Sequence, residues 1–371
     1  MSIRLTFWGV RGSIPVPGPT TVKYGGNTSC LELRFGKEDR LIVMDLGSGI
    51  RELANLIMKK DLPRGPIKTS VFLTHTHYDH IMGFPFFTPI FLPTTELDVY
   101  GPVTYEEDTL EKIVGDQLQY RYFPVRLEEL RADIRYHPLK EGSQDLGGGL
   151  KVTTKYLNHP ILVLGYRFEF EGKVLCTAYD HEMFQNVFEA KPEDPGYDAM
   201  AVKEGEVAAR EGNEKVQQFY EDADILVHDT QYTHKEYLAG KKGWGHSSFE
   251  WAINSAHRAG VKHLVLFHHE PLRNDQELEG LYRAYMSSIR GRTRMKVSVA
   301  QEGKTIEVYA GMPKEAEAMD GRQADCRRKQ AFTPCGPLRS WGRGRMPLPA
   351  SSVRPFPATS HCTRWGSSPV S

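Results

Sequence analysis

Three imidazoles and one carboxylate lie within six residues of this chain, at His75, His77, Asp79 and His80. The preceding residues, 70–74, are mostly apolar and are typical of a strand buried in a sheet. Imidazole and carboxylate groups are ligands for Zn, Mn or Fe, and a turn this rich in ligands can surround two ions. A His-rich turn that merely faces solvent is the alternative, but the position directly after a buried strand favours a metal site.

Further polar residues follow four other apolar stretches. They are His159, Asp180, the pair His228 and Asp229, and the pair His268 and His269. Because the carboxyl ends of strands can meet at one edge of an α/β sheet, we expect these side chains to converge there. An ordinary hydrogen-bonded polar residue would explain any one of them, whereas their recurrence after successive strands favours a single composite site.

Hydrophobic periodicity predicts an α/β domain over residues 1–312. Strands are predicted at 3–8, 30–35, 40–45, 70–74, 97–100, 151–156, 165–170, 173–177, 225–227, 263–267, 296–299 and 305–309, and helices at 49–60, near 213–222, at 247–259 and at 275–288. Short turns between neighbouring strands indicate antiparallel or mixed sheets. The two long loops at 9–29 and 182–207 are predicted to be functional, since long ordered loops in compact domains tend to be so.

The charge of the chain is unevenly distributed. Its 371 residues contain 47 Lys and Arg and 47 Asp and Glu, so the net charge is zero, which excludes a strongly basic nucleic-acid coat for the whole chain. Residues 321–371 hold eight Arg and one Lys against Asp325 alone, a charge of +8 that leaves −8 for 1–320. Residues 313–371 are rich in Pro and Ser and are predicted as a disordered basic tail. This tail is either an arm that contacts RNA or a membrane surface, or an extension without function. The isolated spacing of its arginines favours an extension without function.

Cysteine spacing and hydropathy indicate the cellular compartment in which the protein is expected to work. The 5 cysteines show no CxxC spacing, which argues against a disulfide framework and a cysteine zinc site and favours a reducing compartment. No stretch approaches the roughly 18 apolar residues that span a bilayer. The N-terminal residues have no apolar signal segment. We therefore expect a cytoplasmic protein that does not enter a membrane.

The motif HxHxDH, followed by a His, an Asp and a final His that each follow a strand, resembles the metallo-β-lactamase superfamily. The resemblance extends over about residues 3–310 and implies an αββα metallo-β-lactamase sandwich with two divalent ions, Zn²⁺ or Mn²⁺, at one edge. It implies that His75, His77 and His159 bind one ion, that Asp79, His80 and His268 bind the other, and that Asp180 bridges both. His269 is the alternative to His268 as the last ligand.

Two residues are expected to support these ligands. Asp45 follows another buried strand and matches the first aspartate of the superfamily, so it is expected to orient a ligand ring. An aspartate that caps a turn is the alternative for Asp45. His228 is expected in the same supporting layer.

Two further motifs favour a phosphodiesterase branch of the superfamily. HSS at 246–248 opens a predicted helix, and VHDT at 227–230 follows a predicted strand. Together they are similar to paired motifs of ribonuclease Z and of the cyclic phosphodiesterase associated with carbon–phosphorus lyase. The resemblance implies that His246 is a general acid for the leaving alkoxide, that Asp229 orients it, and that Asp79 is a further catalytic residue. His77 stands where diiron reductases of this fold carry a glutamate, which disfavours redox function.

The expected substrate is a small phosphodiester such as a cyclic nucleotide or cyclic ribose phosphate. Ribonuclease Z carries a long Gly/Pro-rich arm between its third-motif His and its Asp, whereas His159 and Asp180 lie only 21 residues apart. Arg11 and Asn27 of the 9–29 loop are expected to bind this substrate. The alternatives are a ribonuclease Z-like RNA endonuclease whose basic tail replaces the arm, and a non-catalytic metal-binding module. The sequence does not determine whether the chain forms a homodimer.

Overall fold

A computed structural model describes residues 2–103, 108–188, 192–193 and 196–309. The predicted tail at 313–371 lies outside the described residues, as do residues 189–191 and 194–195 of the predicted 182–207 loop. Within the described ranges, no helix combines the length and the apolar character needed to cross a membrane.

Two sheets of seven strands each form the centre of the molecule. The first contains β1 (Ser2–Gly9), β2 (Cys30–Phe35), β3 (Arg40–Met44), β4 (Ile67–Phe72), β5 (Thr95–Pro102), β6 (Asp133–Leu139) and the last strand, β14 (Thr305–Tyr309). The second contains β7 (Gly142–Asp145), β8 (Leu150–Leu157), β9 (Val163–Phe170), β10 (Lys173–Ala178), β11 (Ile225–Asp229), β12 (His263–Phe267) and β13 (Lys296–Val299).

Both sheets are mixed. The first has the order β14-β1-β2-β3-β4-β5-β6, and its strands are antiparallel from β14 to β3 and parallel from β3 to β6. The second has the order β13-β12-β11-β10-β9-β8-β7 and is parallel from β10 to β13. The parallel strands of each sheet end at one edge, which is where side chains from distant parts of the chain can meet.

Seven α-helices accompany the sheets within the described residues. They are α1 (Ile50–Lys60), α2 (Tyr78–Ile81), α3 (Leu110–Gly115), α4 (Ala199–Phe219), α5 (His234–Leu238), α6 (Phe249–Arg258) and α7 (Asp275–Ile289). Side-chain caps fix the starts of α6 and α7. Ser248 accepts from the backbone N–H of Trp251 at the start of α6, and Asn274 and Glu277 form a capping box at α7.

Alternating apolar side chains hold the layers together. On β12, Val265 and Phe267 lie between the sheets, whereas Leu264 and Leu266 face the helices. Each such fully buried side chain stabilises the fold by roughly 1.5–3 kcal/mol relative to exposure. One apolar cluster lies between the sheets, a second joins the first sheet to α1 and α3, and a third joins the second sheet to α4, α6 and α7. The predicted αββα sandwich is confirmed.

The secondary-structure prediction was wrong about α4, β6 and β7, and it missed the short helices α2, α3 and α5. Helix α4 begins at Ala199, well inside the predicted 182–207 loop, because Asp198 caps it by accepting from the backbone N–H groups of Met200 and Ala201. Strands β6 and β7 were not predicted. β7 is exposed throughout, and β6 is exposed or half-buried except at Leu139. Each lies at the edge of its sheet, so neither carries the strongly apolar pattern on which the prediction depended.

Candidate metal centre

The candidate ligands lie where strands of both sheets end. His75 and His77 are in the turn after β4, and α2 carries Asp79 and His80. His159 follows β8, Asp180 follows β10, and His268 follows β12 directly. The fold therefore brings together, at one edge of the sandwich, four side chains of one short segment and three from distant parts of the chain.

One group of potential ligands contains His75, His77, His159 and Asp180, whose ligand atoms lie within 4.8 Å of one another. Oδ2 of Asp180 is 3.5 Å from Nε2 of His75 and 4.0 Å from Nε2 of His159. Burial lowers the pKa of His75 and of His77, and it lowers the pKa of His159 to about 4. These rings are therefore neutral at pH 7, which is the form that binds metal.

A second group contains Asp79, His80 and His268, again within 4.8 Å of one another. Oδ2 of Asp79 is 3.4 Å from Nε2 of each ring. Oδ1 of Asp180 is 3.3 Å from Nε2 of His80 and 3.2 Å from Nε2 of His268. The two oxygens of Asp180 thus face the two different groups of potential ligands.

The polar atoms at the centre of this arrangement lack partners. Nε2 of His75, His80 and His268 and Oδ1 of Asp180 are buried without a hydrogen bond to any described residue. Leaving a buried polar group unpaired costs about 1–3 kcal/mol, so a cluster of four unpaired atoms calls for a bound group. Imidazole nitrogen and carboxylate oxygen together suit divalent transition metals. The residues present therefore fit a divalent metal site.

Asp45 lies directly behind His80. Oδ2 of Asp45 accepts a hydrogen bond of 2.8 Å from Nδ1 of His80, and its Oδ1 accepts from the backbone N–H of Thr74 at 2.7 Å. Such a bond fixes the tautomer and the orientation of a ligand ring, so that Nε2 points to the metal. The contact is the one expected from the sequence, and it makes Asp45 more than a turn cap.

Two supporting contacts were missed by the sequence analysis. The carbonyl of Gly245 accepts from Nδ1 of His159 at 2.9 Å, and Oε1 of Gln231 accepts from Nδ1 of His268 at 3.1 Å. The position of Gln231 just after β11 is a signal that could have identified it. A backbone carbonyl gives no such signal, because every residue carries one.

Three residues of the centre have left-handed backbone conformations without being glycine. The φ angles are 58° at Asp45, 44° at Asp180 and 60° at His268. Each such residue stores of order 1–3 kcal/mol of strain, which the surrounding structure must offset. All three come just after a strand, so the sharp change of chain direction aims each side chain at the centre.

His246 lies beside the two groups and pairs with Asp229. Nδ1 of His246 is 2.7 Å from Oδ2 of Asp229, and its ring is stacked on that of His268 with 5.0 Å between centroids. Burial would lower the pKa of His246, but the Asp229 carboxylate opposes this and raises it to about 9. The Asp229 carboxylate thus favours the protonated, charged form of the His246 ring. Asp180, Asp229, His246 and His268 also lie close enough to form a third potential ligand group.

The substrate-binding role expected for Arg11 is corrected by the structure. Its side chain is completely buried. Nε donates to the carbonyl of Gly25 at 2.8 Å, Nη1 donates to the carbonyl of Arg273 at 2.8 Å, and Nη2 lies 3.4 Å from Asp275. The guanidinium therefore ties the 9–29 loop to the start of α7 and has no free face for a substrate.

Replacing Arg11 by methionine is expected to destabilise the fold by about 2–4 kcal/mol, since the change leaves buried carbonyls and a carboxylate without their donor. Urea denaturation measures this loss. The matched control is Arg135→Met, because Arg135 is exposed and pairs with Asp98 at the surface, where an ion pair contributes little to stability. A stable Arg11→Met variant with a raised KM for a diester would restore the substrate-binding role.

Asn27 also forms hydrogen bonds that hold the 9–29 loop in place. Its Nδ2 donates to Oε2 of Glu302 at 3.0 Å, and its Oδ1 accepts from Oγ of Ser48 at 3.1 Å. Both ends of the amide are thus engaged by protein groups. The expected role in substrate binding is corrected to one in holding the loop.

The pair His228 and Asp229 at the end of β11 and the pair His268 and His269 after β12 each have one member directed away from the centre. His228 packs edge-on against His181 and donates from Nδ1 to the backbone carbonyl of Asp229 at 2.7 Å, so the residue that it supports is Asp229. His269 is buried and donates from Nε2 to the carbonyl of Ala300 at 2.9 Å. His268 is the member of its pair that faces the candidate metal ligands.

The sequence is similar to several ribonuclease Z proteins. Ribonuclease Z of Lactococcus lactis subsp. lactis is 30% identical over 231 residues, which cover 54% of this chain and 70% of that protein. Ribonuclease Z of a Synechococcus species is 25% identical over 300 residues, covering 72% of this chain and 88% of that protein. No protein-family model matches the chain.

The fold is similar to those of known hydrolases. Human tRNase Z, short form, has a TM-score of 0.52 at 20% identity, covering 83% of this chain and 100% of that chain. A diphosphatase from the PhnP family has a TM-score of 0.52 at 17% identity, covering 83% of this chain and 98% of that chain. The fold, the ligand pattern and the ribonuclease Z relatives together show that the chain belongs to the metallo-β-lactamase superfamily of metal-dependent hydrolases, in the family that includes ribonuclease Z.

Proposed function

We propose that this hydrolase cleaves a small phosphodiester, such as a cyclic nucleotide or cyclic ribose phosphate, with two divalent ions, Zn²⁺ or Mn²⁺. The observation that carries the proposal is the His246–Asp229 pair, 2.7 Å apart, beside two groups of potential metal ligands. A hydrolase that expels an alkoxide needs a proton donor, because an unprotonated alkoxide leaves poorly. A non-catalytic metal-binding module has no use for such a donor.

In this proposal, different residues bind the metal ions and transfer the proton. His75, His77 and His159 would hold one ion, Asp79, His80 and His268 the other, and Asp180 both. When bound, divalent ions supply Lewis-acid polarisation of the phosphoryl group and a nucleophile at neutral pH.

Proton transfer falls to His246. With Nδ1 of His246 held by Asp229, Nε2 is the ring nitrogen left to give its proton to the leaving oxygen. Asp229 keeps the ring oriented and stabilises its charged form before transfer. Positioned acids of this kind contribute roughly 10²–10⁴-fold to the rate.

The short connection between His159 and Asp180 supports a small substrate. Apart from short links, residues 159–180 are taken up by β9 and β10, which pair antiparallel around the turn at Glu171 and Gly172. This stretch of the chain therefore holds a hairpin where an RNA-gripping arm would be inserted.

An RNA endonuclease is the second candidate function. It is favoured by the relatives named ribonuclease Z, one of which is 30% identical over 231 residues. In this candidate, the basic segment at 321–371 would supply phosphate contacts in place of the arm.

A substrate panel distinguishes these functions. The purified chain, loaded with Zn²⁺ or Mn²⁺, is assayed with bis(p-nitrophenyl) phosphate, 2′,3′- and 3′,5′-cyclic nucleotides and a precursor tRNA. We expect turnover of the first substrate and of at least one cyclic nucleotide at a higher kcat/KM than for the tRNA. Cleavage of precursor tRNA alone would replace our proposal by the second candidate, and no turnover of any diester would remove both.

Truncation after Met312 tests the proposed domain boundary and the role of the tail. Because 313–371 carries little apolar material, we expect unchanged folding by circular dichroism, unchanged metal content and unchanged turnover of small diesters. If the tail grips RNA, the truncated chain will have a raised KM for structured RNA, most at low salt, since lost phosphate contacts act through counterion release. A truncated chain that does not fold would place the domain boundary elsewhere.

A further inference from the structure

A buried glutamate holds the turn that precedes His246. Oε1 of Glu182 accepts from the backbone N–H of Gly243 at 2.9 Å, and its Oε2 accepts from the backbone N–H of Gly245 at 2.8 Å. Gly243 and Gly245 have φ angles of 80° and 85°, which favour glycine. A Cβ at Gly245 would also lie 2.0 Å from Nδ1 of His159. The turn is therefore fixed by both its backbone shape and its two bonds to one carboxylate.

Neutral donors surround the carboxylate. Oε1 of Glu182 also accepts from the hydroxyl of Tyr237 at 2.6 Å and from Nε2 of Gln185 at 2.9 Å, and the side chain is almost fully buried. None of the ion pairs among the described residues includes Glu182. Burying a carboxylate is costly, and here the cost is offset by four hydrogen bonds to its charged form, two of which come from the turn.

Residues 181–182 bind the chain on both sides of the candidate acid, His246. Glu182 holds Gly245 on one side of His246, and the carbonyl of His181 accepts from Oγ of Ser247 on the other. The backbone N–H of Glu182 also donates to the carbonyl of Asn158 at 2.9 Å. Residues 181–182 therefore connect the loop of the acid to the segment that carries the candidate ligand His159.

Gly245 itself completes the connection between Glu182 and His159. Its carbonyl accepts from Nδ1 of His159 at 2.9 Å, while its N–H is held by Glu182. A shift of the turn would therefore move both the ring of a candidate ligand and the backbone next to His246. Displacements of about 1 Å at groups of this kind can lower rates by 10²-fold.

We propose that Glu182 is a positioning residue that aligns His246 for proton donation and His159 for metal binding through the Gly243–Gly245 turn. The inference rests on the proposed function for His246, whereas its part concerning His159 stands on the contacts of the metal centre alone. Glu182 touches neither substrate nor metal in this role and acts through the turn.

The test is Glu182→Gln, which keeps the shape of the side chain but turns one acceptor into a donor that faces a backbone N–H. With metal in excess, we expect kcat for a cyclic nucleotide to fall ~10²-fold with little change in KM. The loss with bis(p-nitrophenyl) phosphate should be much smaller, because p-nitrophenolate leaves without a proton. The same variant should lose zinc to a chelator at ~10-fold lower chelator concentration, since a supporting bond of a ligand is weakened.

Glu250→Gln is the matched control. Glu250 also accepts from a backbone N–H, that of His234 at 2.9 Å, and from a tyrosine hydroxyl, that of Tyr285 at 2.7 Å. It lies on α6 and its substitution should leave both kinetic constants and zinc retention unchanged. Glu182→Asp, which keeps the charge but is one methylene shorter, should show the same selective losses as Glu182→Gln at smaller size, and it serves if Glu182→Gln does not fold.

A double variant separates the possible results. Combined with His246→Ala, Glu182→Gln should cause little further loss of kcat, because the group that it aligns is already absent. Equal losses on both substrates, or full additivity with His246→Ala, would overturn the alignment of His246. Unchanged zinc retention would overturn the link to His159. If the unsubstituted chain hydrolyses no phosphodiester, the proposed function fails, and the zinc measurement still decides the part concerning His159.

Discussion

Asp180→Ala is expected to remove both metal and activity. The unsubstituted chain should contain close to two Zn or Mn per molecule by elemental analysis, since Asp180 faces two ligand groups with different oxygens. Losing the shared carboxylate weakens both sites at once. We expect metal content to fall well below one ion per chain and kcat/KM to fall by at least ~10³-fold, which corresponds to about 4 kcal/mol of transition-state stabilisation.

Asp224→Ala controls for the loss of a buried carboxylate as such. Asp224 is also buried and accepts from the backbone N–H of Val174 and from Lys262, and it directly precedes β11, at the opposite end of that strand from the candidate ligands. This variant should lose stability but keep its metal and its turnover per folded molecule. A fully active chain that holds no more than one ion would contradict the two-metal proposal.

His246→Ala is expected to keep both metals and lose turnover selectively. On diesters with an alkoxide leaving group, the loss should be roughly 2–4 kcal/mol of transition-state stabilisation, the contribution of a positioned general acid. On bis(p-nitrophenyl) phosphate it should be much smaller, because p-nitrophenolate is stable without a proton. The ratio of the two losses, measured with saturating metal, is the quantity that tests the role of His246.

His257→Ala is the control, since His257 lies on α6, the helix that follows His246, and bonds Thr293. It should leave both substrates unaffected. If His246→Ala lowers turnover equally on both substrates, the residue binds phosphate and is not the acid. If it also loses metal, His246 belongs to the third ligand group, with Asp180, Asp229 and His268.

The convergence of the candidate ligands could be predicted from the sequence because local pattern and topology agree there. Each candidate follows an apolar strand, and parallel strands end at one edge, so no detailed packing was needed to bring His75, Asp180 and His268 together. The same reasoning placed Asp45 behind a ligand ring, where it now lies 2.8 Å from His80.

Burial in loops could not be predicted in this way. Arg11 and Asn27 are polar residues in a glycine-rich segment, and such a composition is equally compatible with solvent, substrate or protein partners. Their partners Asp275 and Glu302 lie more than 250 residues away in the chain, so only the folded structure reveals them. For the same reason the role inferred for Glu182, which depends on backbone groups of Gly243 and Gly245, left no pattern in the sequence.

At the three left-handed residues after β3, β10 and β12, a substitution that relieved backbone strain would also lower activity. Glycine accepts the φ angles of 58°, 44° and 60° found at Asp45, Asp180 and His268 without steric cost. Substitution there would relieve backbone strain while removing a candidate ligand or its support. At Asp45 this gain is reduced, since glycine would leave Nδ1 of His80 and the backbone N–H of Thr74 without their acceptor. Selection of variants for heat resistance alone would therefore favour inactive chains most at Asp180 and His268, and an engineering campaign on this scaffold must hold all three residues fixed.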